Sequence, residues 1–172
     1  TAVPDALLDA LEEQVVPADD ALVIWTSGST AEPKGAIHSQ ATIGRRAKAN
    51  QYSHGFVHED RVFCDFAFWW VGGPGYGFLP TFWAGGTVLA VPRRDEDTQA
   101  FIDAEAPTRM AGFAQTLELA PGGSSRAMTP PGIGMTETFG PHSMNGPMTI
   151  EQYTSSPTVG LGPCILGFER KL

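Results

Sequence analysis

The sequence predicts an α/β fold with at least partly parallel sheet, and three observations carry that prediction. Short, β-prone apolar runs alternate with helical patterns along the first 120 residues. The chain has 172 residues, 42% of them apolar, which is enough for one hydrophobic core and short for two. No apolar run approaches the length that spans a bilayer, so the hydrophobic segments are expected to bury against one another.

Each element follows from its local pattern. Pro4 to Val16 reads as an amphipathic helix, with Leu7, Leu8, Leu11 and Val15 at helical spacing and acids on the other side. "VPADD" is a polar connection, "ALVIW" a short buried strand, and "GAIHS" a second short strand. "QATIGRRAKANQY" reads as a helix whose cations fall towards its later part, where the helix dipole favours them. "DRVFCDFAFWW" reads as a strand entering an aromatic region and "GTVLAV" as a buried strand. "DEDTQAFIDAEA" is a helix ahead of the next apolar segment. Beyond Pro121 the character changes. Eleven of the twenty-seven residues from Pro121 to Pro147 are Gly or Pro, and only three leucines follow Pro121. Such a composition does not build a core unaided. Either this half drapes over a core supplied elsewhere, or intervening segments are missing. The organisation expected is one domain, with residues 1–120 as its regular part and 121–172 as its Gly/Pro-rich part.

Composition also excludes partners. A net charge of −8 argues against nucleic acid, whose phosphates need a basic face. The pairs Arg45-Arg46 and Arg93-Arg94 read as solvated surface, so an anion would be met locally by a few aimed donors. The first residues, "TAVPDALLDALEEQ", lack the basic-then-apolar order of a signal peptide, which makes the cytoplasm the expected compartment. Cys64 and Cys164 stand a hundred residues apart without CxxC spacing and read as two buried thiols rather than a metal site or disulfide.

The densest chemical signal is "TSGSTAEPKG", Thr26 to Gly35, directly after the first apolar run. Hydroxyls of Thr26, Ser27, Ser29 and Thr30 are donors for anionic oxygens. Gly28 and Gly35 permit close backbone approach, and Lys34 adds a mobile cation. The order GxxxxGK[ST] is not met, which excludes the common NTPase loop. From these residues alone a phosphate cradle and an ordinary surface loop both stand.

The stretch resembles the signature loop of the adenylate-forming (AMP-binding) superfamily, which includes acyl-CoA synthetases, peptide-synthetase adenylation domains and firefly-type luciferases. Every fixed position of T-S-G-[ST]-T-[small]-x-P-K-G is met, with Ala31 at the small position. "GMTETFG", Gly134 to Gly140, resembles the family's G-x-T-E block and lies downstream in the right order. "FAFWWVGGPGYGFLPTFWAGGTVLAV" resembles its acyl-pocket segment.

The resemblance implies the fold of an N-terminal adenylating domain and a division of labour. Thr26, Ser27, Gly28, Ser29, Thr30 and Lys34 would hold the ATP phosphates. Gly134, Met135 and Thr136 would complete the nucleotide site, with Thr136 at the α-phosphate and Glu137 holding Mg²⁺. Lys34, Thr136 and Glu137 would be the catalytic residues. Trp70, Val71, Gly72 and Gly73 would line the acid pocket, closest to the form found in acyl-CoA synthetases. No acid stands near Val71 and Gly72, where amino-acid-activating members carry an Asp. An unpaired ammonium in an apolar pocket is costly, so an α-amino acid is disfavoured. Phe68, Trp69 and Trp70 suit an aliphatic or aryl acid, although Phe68 and Trp69 equally suit core packing.

The expected reaction is activation of a carboxylic acid, in the first instance a fatty acid, to its acyl-adenylate, with coenzyme A as acceptor. The alternative is an inactive nucleotide- or acyl-binding fragment on the same scaffold. His38 is expected to be a satisfied structural histidine. The family's ribose-binding Asp motif, hinge and C-terminal lid find no counterpart here, and "PGGSSRAMTPP" reads as a junction where helices and a strand are expected. The sequence therefore looks like an incomplete N-terminal domain.

Overall fold

A computed structural model describes residues 3–26, 32–92, 95–113, 116, 119, 126–127, 132–145, 148–149, 164–165 and 169. Its elements in chain order are α1 (Asp5–Glu12), β1 (Asp20–Thr26), β2 (Lys34–Ser39), α2 (Gln40–His54) and β3 (Arg61–Cys64). A π-helical segment (Gly73–Phe78) and α3 (Leu79–Trp83) come next, then β4 (Thr87–Leu89), α4 (Thr98–Glu105), β5 (Arg109–Ala111) and β6 (Arg126–Ala127). The last are β7 (Gly132–Met135), a 3₁₀ turn (Thr136–Thr138), β8 (Gly140–Met144) and β9 (Met148–Thr149).

The central sheet has the order β4-β3-β5-β6-β9, parallel except for β9. Strand alternation divides its side chains between two cores. Val62 and Cys64 of β3 and Ala111 of β5 point to one side, packing with Ala49 of α2 and with Phe56, Phe66 and Tyr76. Phe63 of β3 and Met110 of β5 point to the other, where Leu89 and Ile102 of α4 meet them. Elements cover both faces, as a parallel sheet requires. Phe63 and Ile102 are each 0% exposed, worth about 2 kcal/mol apiece by burial.

Two antiparallel hairpins flank this sheet, and here the expectations need correction. The strands expected at "ALVIW" and "GAIHS" exist, but they pair with each other as β1–β2 rather than joining the parallel sheet. Only one face of that hairpin is buried. Leu22 and Ile24 face in, while Val23, Trp25 and Ile37 are exposed, so β1 is a half-buried strand. The strand expected through "DRVFCDFAFWW" stops at Cys64, and the chain then leaves the sheet with Trp69 84% exposed. "GTVLAV" becomes a three-residue edge strand in which Leu89 is buried and Thr87 exposed. The first helix is four residues shorter at its C-terminal end than expected, and its apolar stripe, Leu7, Leu8 and Leu11, is exposed. Cys64 is buried, its thiol pushed up to about 11 by desolvation, whereas Cys164 is only partly buried; both are free.

α2 is the element that organises the rest. Ser39 caps its start, its Oγ accepting from the Thr42 amide at 3.3 Å. Gly55 ends it in the left-handed region at φ 59°, with Phe56 N bonded to Gln51 O, the paired closure that glycine favours. The helix has no apolar stripe. Its buried face instead carries Ala47 and Ala49 together with Arg46, Asn50 and His54. Arg109 of β5 supports its end: Nη1 donates to His54 O at 2.9 Å and Nη2 to Gly55 O at 2.6 Å. That guanidinium is 2% exposed and pairs with Asp60, Nε to Oδ2 at 2.8 Å, which balances its buried charge. Burial alone would raise the Asp60 carboxyl, but hydrogen bonds from Arg109, the Val57 amide and Thr108 hold it below the usual carboxylate range.

Candidate active site

The β1–β2 hairpin carries the ends of the hydroxyl-rich loop. Register pairs Thr26 with Lys34, Ile24 with Ala36 and Leu22 with His38, so all six lie on one face. Thr26 Oγ1 donates to Lys34 O at 3.3 Å, closing the mouth of the loop. Ser27, Gly28, Ser29 and Thr30 lie outside the described residues. Lys34 is exposed, and its ammonium makes no ion pair among the described residues.

Gly134, Met135, Thr136 and Glu137 occupy the end of β7 and the 3₁₀ turn. The turn is held locally: Thr138 Oγ1 accepts from Met135 N at 3.2 Å and donates to Gly140 O at 2.7 Å, and Phe139 N donates to Thr136 O at 3.0 Å. Phe139 then adopts a left-handed conformation at φ 51°, uncommon for a side chain of its size, while being 0% exposed. Its burial accounts for the strain. Glu137 is exposed and has no hydrogen-bond or salt-bridge partner among the described residues.

The acid-pocket candidates fall into separate roles. Val71 is 6% exposed and packed in a small core. Trp70 is 41% exposed, stacked on Phe113 at 5.8 Å and edge-on to Phe66 at 5.5 Å. Gly72 seats the Trp70 ring, since a Cβ there would fall 2.1 Å from it, and Gly73 packs against the Ala67 carbonyl. A cavity of about 630 Å³ opens next to this group. Its described lining runs over residues 64–69 and 90–92, at the C-terminal ends of β3 and β4, and includes Phe68 and Trp69 but not Trp70 to Gly73.

One small core brings the three segments together. Ile24 of the hairpin, Val71 of the aromatic segment and Phe139 of the 3₁₀ turn form a buried cluster. Around it lies a layer of polar contacts that sequence reasoning missed. Arg46, expected on the surface, is buried; it donates to Pro141 O, four residues past Glu137, and desolvation lowers its pKa to about 10. Asn50, one turn on, donates to Gly75 O. His54, a further turn on, is ringed by Phe56 and Tyr76 and sits against the Met144 sulfur, with Nδ1 2.8 Å from Asn50 O. Burial pushes its pKa down to about 4. The available signal was the missing apolar stripe: a helix polar all round in an α/β domain has to bury polar groups somewhere. Gly75 completes the contact. A Cβ there would stand 2.9 Å from the Phe139 carbonyl oxygen, so only glycine lets the π-helical segment meet the turn.

His38 also departs from expectation. It is 3% exposed, and its ring lies 4.9 Å from Phe139 edge-on. Yet Nε2 has no partner among the described residues, so the histidine is not fully satisfied. Burial lowers its pKa, and the neighbouring Thr136 backbone and Glu137 act against that.

Among the described residues no three His, Cys, Asp or Glu side chains converge as a metal cage. A lone, unpaired carboxylate such as Glu137 fits Mg²⁺ held jointly with phosphate oxygens, the usual way this ion is bound.

Comparison with known proteins agrees with this fold. The sequence is 34% identical over 86 residues to the indoleacetate–CoA ligase of Aromatoleum aromaticum, a match covering 50% of this chain and 17% of that protein. Among solved structures, the inhibitor-bound N-terminal domain of FACL13 from Mycobacterium tuberculosis superposes with TM-score 0.71 at 15% identity, over 95% of this chain and 50% of that one. Anthranilate CoA ligase AuaEII, in complex with anthranoyl-AMP, gives 0.69 at 19% identity, over 89% and 35%. The chain thus spans half or less of the length of these proteins, and at such identities the structural likeness shows the fold. Residues 2–128 match the family described as AMP-binding enzyme, and by that extent of match the chain belongs to it.

Proposed function

We propose that this chain forms the phosphate- and acid-binding part of a ligase that activates a carboxylic acid with ATP and transfers the acyl group to coenzyme A. The observation that carries the reading is the Ile24–Val71–Phe139 cluster, which packs the hairpin ending at Thr26 and Lys34 against the Thr136–Glu137 turn and the Trp70 segment. In this reading residues 1–120 supply the phosphate loop and acid pocket, and 121–172 supply the Thr136–Glu137 turn.

The acid is ionised near neutral pH, so no general base is needed. Its carboxylate oxygen bonds to the α-phosphorus of ATP, the bond to the bridging oxygen of the β-phosphate breaks, and pyrophosphate leaves. The protein contributes position and charge. Lys34 and the hydroxyls of Thr26, Ser27, Ser29 and Thr30 bind the β- and γ-phosphates, with Gly28 giving backbone access. Thr136 orients the α-phosphate, flanked by Gly134 and Met135. Glu137 would hold Mg²⁺, which when bound would supply charge neutralisation. The acid lies in the cavity lined by Phe68 and Trp69, next to Trp70, whose ring is seated on Gly72.

The acid carries no positive charge and is aliphatic or aryl. A fatty acid fits the apolar cavity beside Phe68 and Trp69; the Trp70–Phe113 stack and the similarity to an indoleacetate–CoA ligase favour an aryl acid. ATP and coenzyme A as co-substrates are consistent with a cytoplasmic enzyme. The test is pyrophosphate exchange into ATP by the complete protein, offered fatty, aryl and amino acids in turn. Exchange dependent on a fatty or aryl acid, falling roughly 10²-fold in Lys34→Ala, is the expected result. No exchange with any acid favours an inactive binding fragment, and exchange only with an amino acid overturns the substrate assignment.

A further inference from the structure

We infer that Thr116 is a positioning residue that clamps the wall of the acid cavity through two consecutive lining residues, Asp65 and Phe66. Both follow the last residue of β3 and line the cavity of about 630 Å³. The grip on Asp65 is direct. Thr116 Oγ1 donates to Asp65 Oδ2 at 2.6 Å, from a side chain that is 0% exposed. A hydroxyl-to-carboxylate bond of this length belongs to the stronger class of hydrogen bonds. Gly112 leaves room for it, since a Cβ there would stand 2.2 Å from Thr116 Oγ1.

The grip on Phe66 runs through Phe113. Thr116 N donates to Phe113 O at 2.8 Å. The Phe113 ring in turn meets Phe66 edge-on at 5.1 Å and stacks on Trp70 at 5.8 Å. The backbones are already joined at this point, Asp65 N to Ala111 O at 2.8 Å. Thr116 therefore adds control of the side chains, a carboxylate and a ring. Neither Thr116 nor Phe113 is among the described lining residues, so both act through the residues that are. The clamp stands on this geometry; its effect on the choice of acid rests on the ligase reading above.

Kinetics of the complete protein tests the consequence, and amide hydrogen exchange tests the clamp itself. The acid used is whichever of indoleacetate and octanoate supports faster pyrophosphate exchange. In T116V, which keeps the branched shape but has no hydroxyl, its KM should rise roughly tenfold while the KM for MgATP stays unchanged. The Asp65 amide should exchange about tenfold faster, with the amides of β4 at wild-type rates. T116S, which keeps the donor, should recover both. Should T116V not fold, F113L takes its place, because it removes the ring contacts at an exposed position; the same rise in acid KM alone is expected. An unchanged acid KM in an active enzyme, an equal rise for MgATP, an unaltered Asp65 amide in T116V, or failure of T116S to rescue would overturn the proposal. A wild type that exchanges with neither acid, but whose Asp65 amide is still loosened in T116V, would sink the ligase reading and leave the clamp standing.

Discussion

Acidification should destabilise this fold through His54. The imidazole is buried between α2, the π-helical segment and β8, with its ring against Tyr76 and Met144. Desolvation lowers its pKa from the ordinary 6.5 to about 4, with Arg109 and Arg46 adding to the effect and the Asn50 bond opposing it. Above pH 6.5 neither the folded nor the unfolded chain holds the proton. Between 6.5 and 4 the unfolded chain takes it up and the native state refuses it, so stability declines as pH falls. Below 4 both are protonated and the loss levels off. The two midpoints stand about 2.5 pH units apart, and at 1.36 kcal/mol per unit the full loss is roughly 3 kcal/mol. That is a large part of the stability of a domain this size. Urea unfolding at about pH 7.5, 6, 5 and 4, for wild type and His54→Gln, measures it directly. Other groups titrate alike in both proteins, so the difference between their pH profiles isolates His54. A variant as acid-sensitive as the wild type would refute the reasoning.

Three further outcomes are expected. Gly75→Ala places a methyl 2.9 Å from the Phe139 carbonyl oxygen; overpacking of this kind costs about 1–3 kcal/mol, and thermal melting should fall while the KM for ATP rises. Glu137→Gln should leave the melting temperature near wild type, since the side chain is exposed, yet reduce exchange activity roughly 10²-fold by removing the proposed Mg²⁺ ligand. Arg109→Met strands Asp60 and the carbonyls of His54 and Gly55; breaking a buried pair costs about 3–5 kcal/mol, so soluble yield and urea midpoint should both drop sharply.

Helix α2 was legible as a local pattern and starts at the expected Gln40, but it runs two residues past the expected Tyr52, to the cap at Gly55 that the pattern did not mark. The strands at Asp20–Thr26 and Lys34–Ser39 were legible for the same reason, as short β-prone runs. Their pairing was not, because alternation along a strand identifies its faces but not its neighbour, and "ALVIW" suits an antiparallel hairpin as well as a parallel sheet. Trp69 and Phe68 misled the strand assignment: hydrophobicity alone does not separate a buried ring from one bordering a cavity. The three site segments could be ordered from sequence, but their meeting through Ile24, Val71 and Phe139 depends on contacts more than forty residues apart. Arg46 and Arg109 were the least legible of all. A buried guanidinium is defined by its acceptors, here carbonyls of Pro141, His54 and Gly55, and backbone carbonyls carry no sequence signature.

The sharing of one compact cluster by Ile24, Val71 and Phe139 bears on how variants of this chain combine. Each side chain forms part of the wall that the other two lean on, so trimming one relaxes the neighbours before they are touched. Paired changes in the hairpin and the aromatic segment will then depart from the sum of their separate effects. Altering acid preference and nucleotide grip in the same protein is thus a coupled problem, to be solved on both segments together.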